Sequence, residues 1–152
     1  MAINAAAITS AIAALTVSGV TIKDVSGIPQ SVVNRDCPIF FPMPGNWLNG
    51  GNAANEEETT FGTPTTRLWH VNRSMNYLFL HSAVGTGRGN LDNYSDAVTK
   101  IEALVSAIIQ LDVAGVDVTS VSHTPIGVMN SPTQAKFTGC EFTIALRERI
   151  NA

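Results

Sequence analysis

The side chains best suited to catalysis or metal binding are few in this sequence and widely separated. Three histidines, His70, His81 and His123, lie far apart along the chain, and so do the two cysteines, Cys37 and Cys140. Metal sites usually take at least two ligands from positions a few residues apart, and none of these five residues has such a neighbour. The pattern favours hydrogen-bonded or surface histidines over a metal site. For the cysteines it leaves either one disulfide or two free thiols.

Two buried free thiols in a reducing cytoplasm are the favoured alternative, because free cysteine packs as a small apolar side chain. Residues 1–8 lack the basic start of a secretory signal. No apolar run approaches the roughly 20 residues that a membrane-spanning helix requires. We therefore expect a soluble, intracellular chain.

Two short motifs have the residue types of an active site but lack its spacing. Gly85-Thr-Gly-Arg-Gly89 precedes a predicted helix, as phosphate-binding turns do. It lacks the Lys-Ser ending of a P-loop and the full Gly-x-Gly-x-x-Gly spacing, and the nearby Asp92 would repel a phosphate. Glu56-Glu57-Glu58 supplies adjacent carboxylates, but a flexible segment cannot hold them in the fixed geometry of paired acid–base catalysis. We predict no catalytic residue, no cofactor and no metal.

Composition limits the chain to one domain and argues against some partners. At 152 residues it is long enough for a single core and short for two. The net charge of −3 argues against general nucleic-acid binding, for which a basic face is typical. Charged residues make up only 14% of the chain. The surface is therefore either neutral and rich in serine, threonine and asparagine, or covered by copies of the chain or by another partner.

The segment Thr66–Leu111 has the clearest pattern: a long strand, a glycine turn and an amphipathic helix. Between Arg67 and His81 apolar and polar residues alternate, as in a strand with one face toward a core and the other toward water or a partner. Leu78 and Leu80 interrupt the polar series, so we expect that end to be covered on both faces. The predicted core positions are Trp69, Val71, Met75, Tyr77 and Phe79.

A helix is predicted after the glycine turn, with Asn90 or Asp92 as its N-cap. Its apolar residues recur at steps of three and four, so they form one stripe that should pack against the core face of the strand. The predicted stripe consists of Tyr94, Val98, Ile101, Val105 and Ile108.

The N-terminal part predicts a second helix and an edge strand. Alanine-rich residues 2–15 favour a short helix, and residues 20–25 a short extended piece. Cys37–Pro44 predicts a strand centred on Ile39–Phe41, which its prolines restrict to an interrupted edge.

The C-terminal part predicts two more strands. Residues 116–123 alternate, with a register slip near Ser120, and turn signals at 124–132 permit a loop or loose hairpin. Phe137–Arg149 predicts the last strand, with one apolar face formed by Cys140, Phe142, Ile144 and Leu146.

Residues 45–66 have the composition of a long flexible loop. Loops of this length inside a compact domain are usually functional or disordered. The apolar side chains of this one either fold back on the domain or anchor a partner, and its acidic run suits a basic partner. The candidate assembly residues are Trp47, Leu48, Glu56, Glu57, Glu58 and Phe61.

The order helix, strand, long loop, long strand, glycine turn, helix, strand, strand resembles that of the tail terminator proteins of long-tailed bacteriophages and related tail-completion or neck proteins. The matching segments are the N-terminal helix, Cys37–Phe41, Arg67–His81 with its helix, and Phe137–Arg149. The similarity covers nearly the whole chain and is one of element order, without a diagnostic motif.

The resemblance implies one α+β domain over residues 1–152. We expect a mainly antiparallel sheet of about four strands, two helices packed on one face, and a long loop between the first two strands. It also implies a structural virion protein and no enzyme, made in the host cytoplasm and located in the tail or neck. Copies would form a ring, most simply a hexamer, that caps the tail tube and joins it to the head.

The implied partners are further copies of the chain, the tail tube protein and neck or connector proteins, with no specific nucleic-acid binding and no membrane. Another neck ring, such as a head-completion or connector protein, remains an alternative, as does a cellular protein-binding adaptor. A small hydrolase or metal protein that uses the histidines is a third option.

Overall fold

The fold contains two α-helices, seven strands and two single-turn 3₁₀ helices, Val25–Gly27 and Asn34–Asp36, in the part of the chain that the structure describes. The computed structural model describes residues 5–43, 56–59, 68–85 and 90–151. Its helices and strands are α1 (Ala5–Ala13), β1 (Thr21–Ile22), β2 (Ile39–Pro42), β3 (Glu56–Thr59), β4 (Leu68–Ala83), α2 (Asn90–Ile109), β5 (Val116–His123), β6 (Gly127–Asn130) and β7 (Lys136–Asn151). None of the described helices is long and apolar enough to cross a membrane. The predicted α+β class is confirmed.

The two longest strands, β4 and β7, pair antiparallel along nearly their whole length and form the centre of the sheet. The outer edge of β4 pairs with β2 at one end and with β3 at the other. The outer edge of β7 is shared in the same way by β6 and β5. β1 pairs with β2 in parallel, and the other pairings between described strands are antiparallel.

The prediction of about four strands is wrong, because the described sheet has seven. The sheet is also mixed, since β1 and β2 are parallel. The additional strands are short: β1 has two residues, and β3 and β6 have four each. Glutamate, which fills most of β3, is depleted in strands, and β6 begins and ends with the turn residues Gly127 and Asn130. Pairing with a longer strand specifies β3 and β6, and local propensity does not.

One core lies between the sheet and both helices. The predicted inward faces of β4 and β7 are confirmed, except at Trp69, whose side chain lies outside the described part of the structure. The register slip near Ser120 is also confirmed, as a break in the β5–β7 pairing between Val118 and Ser120. The buried residues of this core include Ile8, Ile12, Phe40, Met75, Tyr77, Phe79, Ile101, Leu104, Ile108, Cys140, Phe142, Ile144 and Leu146.

The buried stripe of α2 is rotated relative to the predicted one. Ile101 and Ile108 are buried as predicted, but their buried neighbours on the helix are Ala97 and Leu104. Tyr94, which the prediction placed on this stripe, is 57% exposed. Apolar residues lie on both sides of Ile101 around the helix. Periodicity alone therefore does not decide which of two adjacent apolar stripes faces the core.

A second, smaller core covers the opposite face of the sheet at one end of β4. It contains Leu78 and Leu80, so the expectation that this end is covered on both faces is confirmed. The other buried members are Val32, Ile39, Phe41 and Phe137.

Candidate assembly interface

The acidic run predicted as part of a loop forms an edge strand. Glu56, Glu57 and Glu58 lie in β3, whose backbone pairs with β4: Glu56 is opposite Asn72 and Glu58 is opposite His70. The pairing fixes these three positions at the sheet edge, which corrects the single long loop that we expected over residues 45–66. The candidate residues Trp47, Leu48 and Phe61 lie outside the described residues, and their proposed role as anchors stays a prediction.

The end of the sheet that contains β3 is four strands wide. One row of residues runs from Glu56 through Asn72 and Arg147 to Asp117, across β3, β4, β7 and β5. Arg149, one row away from Arg147 on this face, lies 3.9 Å from Asp117 between Nη2 and Oδ2. Both side chains of that pair are more than half exposed, so the ion pair contributes little to stability and leaves Arg149 able to contact a partner.

The polar face of β4 becomes buried toward the middle of the strand. His70, Asn72 and Ser74 are partly buried, whereas Asn76 is only 5% exposed. The Thr143 hydroxyl donates a hydrogen bond of 3.2 Å to Asn76 Oδ1. This polar surface therefore remains accessible mainly at the end where β3 and β5 flank the central strands.

A buried ion pair joins β4 to β7 on the helix-covered face. Arg73 Nε donates to Glu148 Oε2 at 2.8 Å, and the side chains are 18% and 1% exposed. The second oxygen, Glu148 Oε1, has no hydrogen-bond partner among the described groups. We did not predict this pair, although the sequence contains a signal for it. Arg73 stands among the inward apolar positions of β4, and Glu148 stands at the inward position that follows Leu146 on β7.

A polar cluster connects α2 to the end of β4. His81 Nε2 lies 2.6 Å from Asp96 Oδ2, and His81 Nδ1 lies 3.1 Å from Ser82 Oγ. Lys100 Nζ donates to both carboxylate oxygens of Asp96, at 2.7 and 2.8 Å. These hydrogen bonds, from Lys100 first and then from His81, lower the pKa of Asp96.

The order hydroxyl, imidazole, carboxylate is also that of a serine hydrolase relay, but this cluster differs from one. His81 is only 7% exposed, and its carboxylate partner is shared with Lys100. The cluster ties a helix to a strand at the point where the β4–β7 register shifts, between Leu80 and Ser82. The sequence did not indicate it, because His81 and Asp96 lie on different elements.

Replacing Asp96 by asparagine should lower the melting temperature at pH 7 by about 2–4 °C, since a partly exposed ion pair contributes about 1 kcal/mol or less. A carboxylate whose pKa is lowered by folding stabilises above its unfolded pKa, and this contribution is lost as pH falls through the folded pKa. The difference from wild type should therefore vanish in acid. Thermal melts of both proteins across pH test this, with the exposed Asp112→Asn as control. An equal deficit at neutral and acidic pH would show that the ion pair is not its cause.

The two cysteines are the other side chains that could react or bind a metal, and they lie apart from each other. Cys37 and Cys140 are free thiols, as favoured. Cys140 is buried, whereas Cys37 is partly exposed. Burial raises the pKa of Cys37 to about 11, with help from the charge of Asp36, and the pKa of Cys140 to about 12. Within the described ranges, no three histidine, cysteine or acidic side chains group together as a metal site would require.

An open groove follows the outer side of α2. One part, with a volume of about 440 Å³, is lined by residues that include Val105, Ile109 and His123. An adjoining part of about 320 Å³ is lined by Tyr94 and Val98, among others, and also reaches His123. Tyr94 and Ile109 are exposed along this groove, whereas Val105 also packs against the edge of the core as predicted. The groove is a second candidate surface for a protein partner.

No model of a known protein family matches the chain, and no curated protein matches it.

Proposed function

We propose that this chain is a structural subunit of a long-tailed bacteriophage, a tail terminator or neck component whose copies form a ring that caps the tail tube and joins the tail to the head. The order of the long elements supports the proposal. α1, β2, β4 leading into α2, and β7 follow one another in the order of the family that the sequence resembles.

The observation that carries the proposal is the build of the sheet around β4 and β7. Each of these strands has 16 residues, and together they form the centre of the sheet. Helices pack on one face, and the opposite face has a partly exposed polar end. At that end the described strands leave both outer edges of the sheet unpaired, at β3 and at β5. A subunit with two different free edges is suited to head-to-tail assembly, and such heterologous contacts form rings when the rotation closes.

The proposed contacts with the tail tube and the connector belong to the segment around β3. Its acidic run would orient the ring against a basic rim of the neighbouring ring, and the apolar Trp47, Leu48 and Phe61 would anchor it. The resulting location is the virion, at the junction of tail and head.

The function is tested by locating the chain in assembled particles. Antibodies against the chain, viewed by electron microscopy, should label the junction of head and tail. Particles assembled without the chain should accumulate as separate heads and tails. Label elsewhere on the particle, or joined and infectious particles without the chain, would contradict the proposal. The same images separate a tail terminator, which stays on isolated tails, from a head-completion ring, which stays on isolated heads.

A protein-binding adaptor is the second candidate, and the groove beside α2 is the observation that favours it. Tyr94 and Ile109 are each more than half exposed along this groove, and apolar helical stripes of this kind bind partner helices. An adaptor would be a monomer or dimer in solution and would occur outside virions. A defined ring would contradict it.

A further inference from the structure

The outer edge of β5 presents backbone donors that no described strand pairs with. Thr124 N–H donates to the Glu141 carbonyl at 2.9 Å. Because hydrogen-bonded and non-hydrogen-bonded pairs alternate along an antiparallel ladder, Ser122 and Ser120 also bond to β7. Val121 and His123 then direct their N–H and C=O groups away from β7. No described strand pairs with that side of β5.

The outer edge of β3 is the other free edge at the same end of the sheet, as far as the described residues show. β3, β4, β7 and β5 run in alternating directions, because each neighbouring pair is antiparallel. Four alternating strands have opposite directions at their two edges. β5 of one copy placed beside β3 of the next copy is therefore an antiparallel pair, and the alternation continues unbroken from subunit to subunit.

We propose that consecutive copies of this chain join edge to edge, with β3 of one copy adding to the free edge of β5 in the next. The inference rests on the proposed function, for which it names the contact between subunits. The outward backbone groups match. Even-numbered residues of β4, such as Asn76, bond on the side of β2 and β3 and lie opposite residues 56 and 58 of β3, so residues 57 and 59 face away from β4 and can bond His123 and Val121 of the next copy.

The pairing sets the offset between neighbouring copies. β3 lies opposite Trp69–Asn72 of β4, whereas Ser120–His123 lies level with Ser74–Tyr77 of the same strand, through its pairing with β7. The register that keeps the helix-covered faces on one side sets residue 57 of β3 opposite His123 and residue 59 opposite Val121. Neighbouring copies are then displaced by six positions, from Val71 to Tyr77 of β4, which corresponds to about 20 Å. A stagger of this kind is what a sheet needs in order to close on itself.

Charge favours this pairing over a pairing of β3 with β3. A β3–β3 contact would set two strands of three glutamates side by side, and like charges across strands are destabilising. A β5–β5 contact would produce a closed dimer and leave β3 without a role. In the proposed contact, the acidic strand meets Val121–His123, which carry no acidic side chain, and Asp117 is the only acidic residue of β5.

The test replaces Val121 by proline in the full chain. Proline removes the outward N–H and is tolerated at a strand edge where that group is not bonded within the subunit, so the variant should fold and its self-association constant should fall on the order of tenfold. Val121→Ala controls for the lost side chain and should associate nearly as wild type. Ser122→Pro should instead impair folding, because it removes a donor to β7. Sedimentation and circular dichroism measure association and folding.

Hydrogen exchange at single amides supplies a readout that does not depend on a substitution. The Ser122 amide should be protected at all concentrations, and the Val121 amide only in the assembled state. A Val121→Pro variant that folds and assembles as wild type overturns the edge contact and leaves the proposed function intact. Wild-type Val121 exchange that is unchanged by assembly, or a chain that stays monomeric at every concentration, also overturns it. Absence of the chain from the head–tail junction overturns the proposed function independently.

Discussion

Replacing Phe79 by alanine is expected to lower the free energy of unfolding by about 3–5 kcal/mol, the range for deleting a large buried aromatic side chain. Phe79 is fully buried between the sheet and the helices. Tyr77→Ala should have a similar effect, because the Tyr77 ring is also fully buried and stacks on Phe40 with centroids 4.6 Å apart. Urea denaturation followed by circular dichroism measures both.

Two controls separate ring packing from other effects. Asn72→Ala, on the polar face of the same strand, should change stability much less unless that face is a subunit contact. Tyr77→Phe keeps the ring and removes a hydroxyl that is buried without a hydrogen-bond partner among the described groups, so it should be neutral or slightly stabilising. A near-wild-type unfolding midpoint for both alanine variants would contradict the assignment of this face to the core.

Replacing Arg73 by alanine should cost about 3 kcal/mol or more, because it leaves the carboxylate of Glu148 buried without its partner. The second carboxylate oxygen already lacks a hydrogen bond, so nothing described nearby compensates for the lost guanidinium. The measurement is again the free energy of unfolding at pH 7.

The double variant Arg73→Met with Glu148→Leu is the matched control. Replacing a buried ion pair by apolar groups of similar volume is often neutral or stabilising, so the double variant should recover most of the stability that Arg73→Ala loses. A loss below about 1 kcal/mol for Arg73→Ala would show that water reaches Glu148, as it does at exposed ion pairs.

The long strands could be predicted because their side chains alternate strictly. The buried face of β4 is identified by Val71, Met75 and Phe79, and that of β7 by Phe142 and Ile144. This identification does not depend on what packs against the strands. The register shift in β5 was also visible, since the alternation of valines breaks near Ser120.

The elements that the sequence did not indicate depend on contacts with distant residues. β3 and β6 acquire their structure from the edges of β4 and β7, so their own residue types gave no signal. The rotation of α2 is set by what the sheet accommodates, and apolar residues on both sides of Ile101 fit either rotation.

The candidate interface was located in part. Glu56, Glu57 and Glu58 were singled out for their charge, but their place at a sheet edge required the pairing with β4. The facing edge of β5 was not among the candidates, because backbone donors leave no trace in residue type. The role of Trp47, Leu48 and Phe61 as anchors for a partner stays a prediction from composition.

The mass of the assembled chain tests the central claim most directly. Sedimentation of the wild-type protein at rising concentration should give one discrete species, six times the 16.1 kDa of a single copy for a hexameric ring, with closed rings of that size in assembled particles. A monomeric mass at every concentration, together with no ring of this chain in assembled particles, would contradict the account.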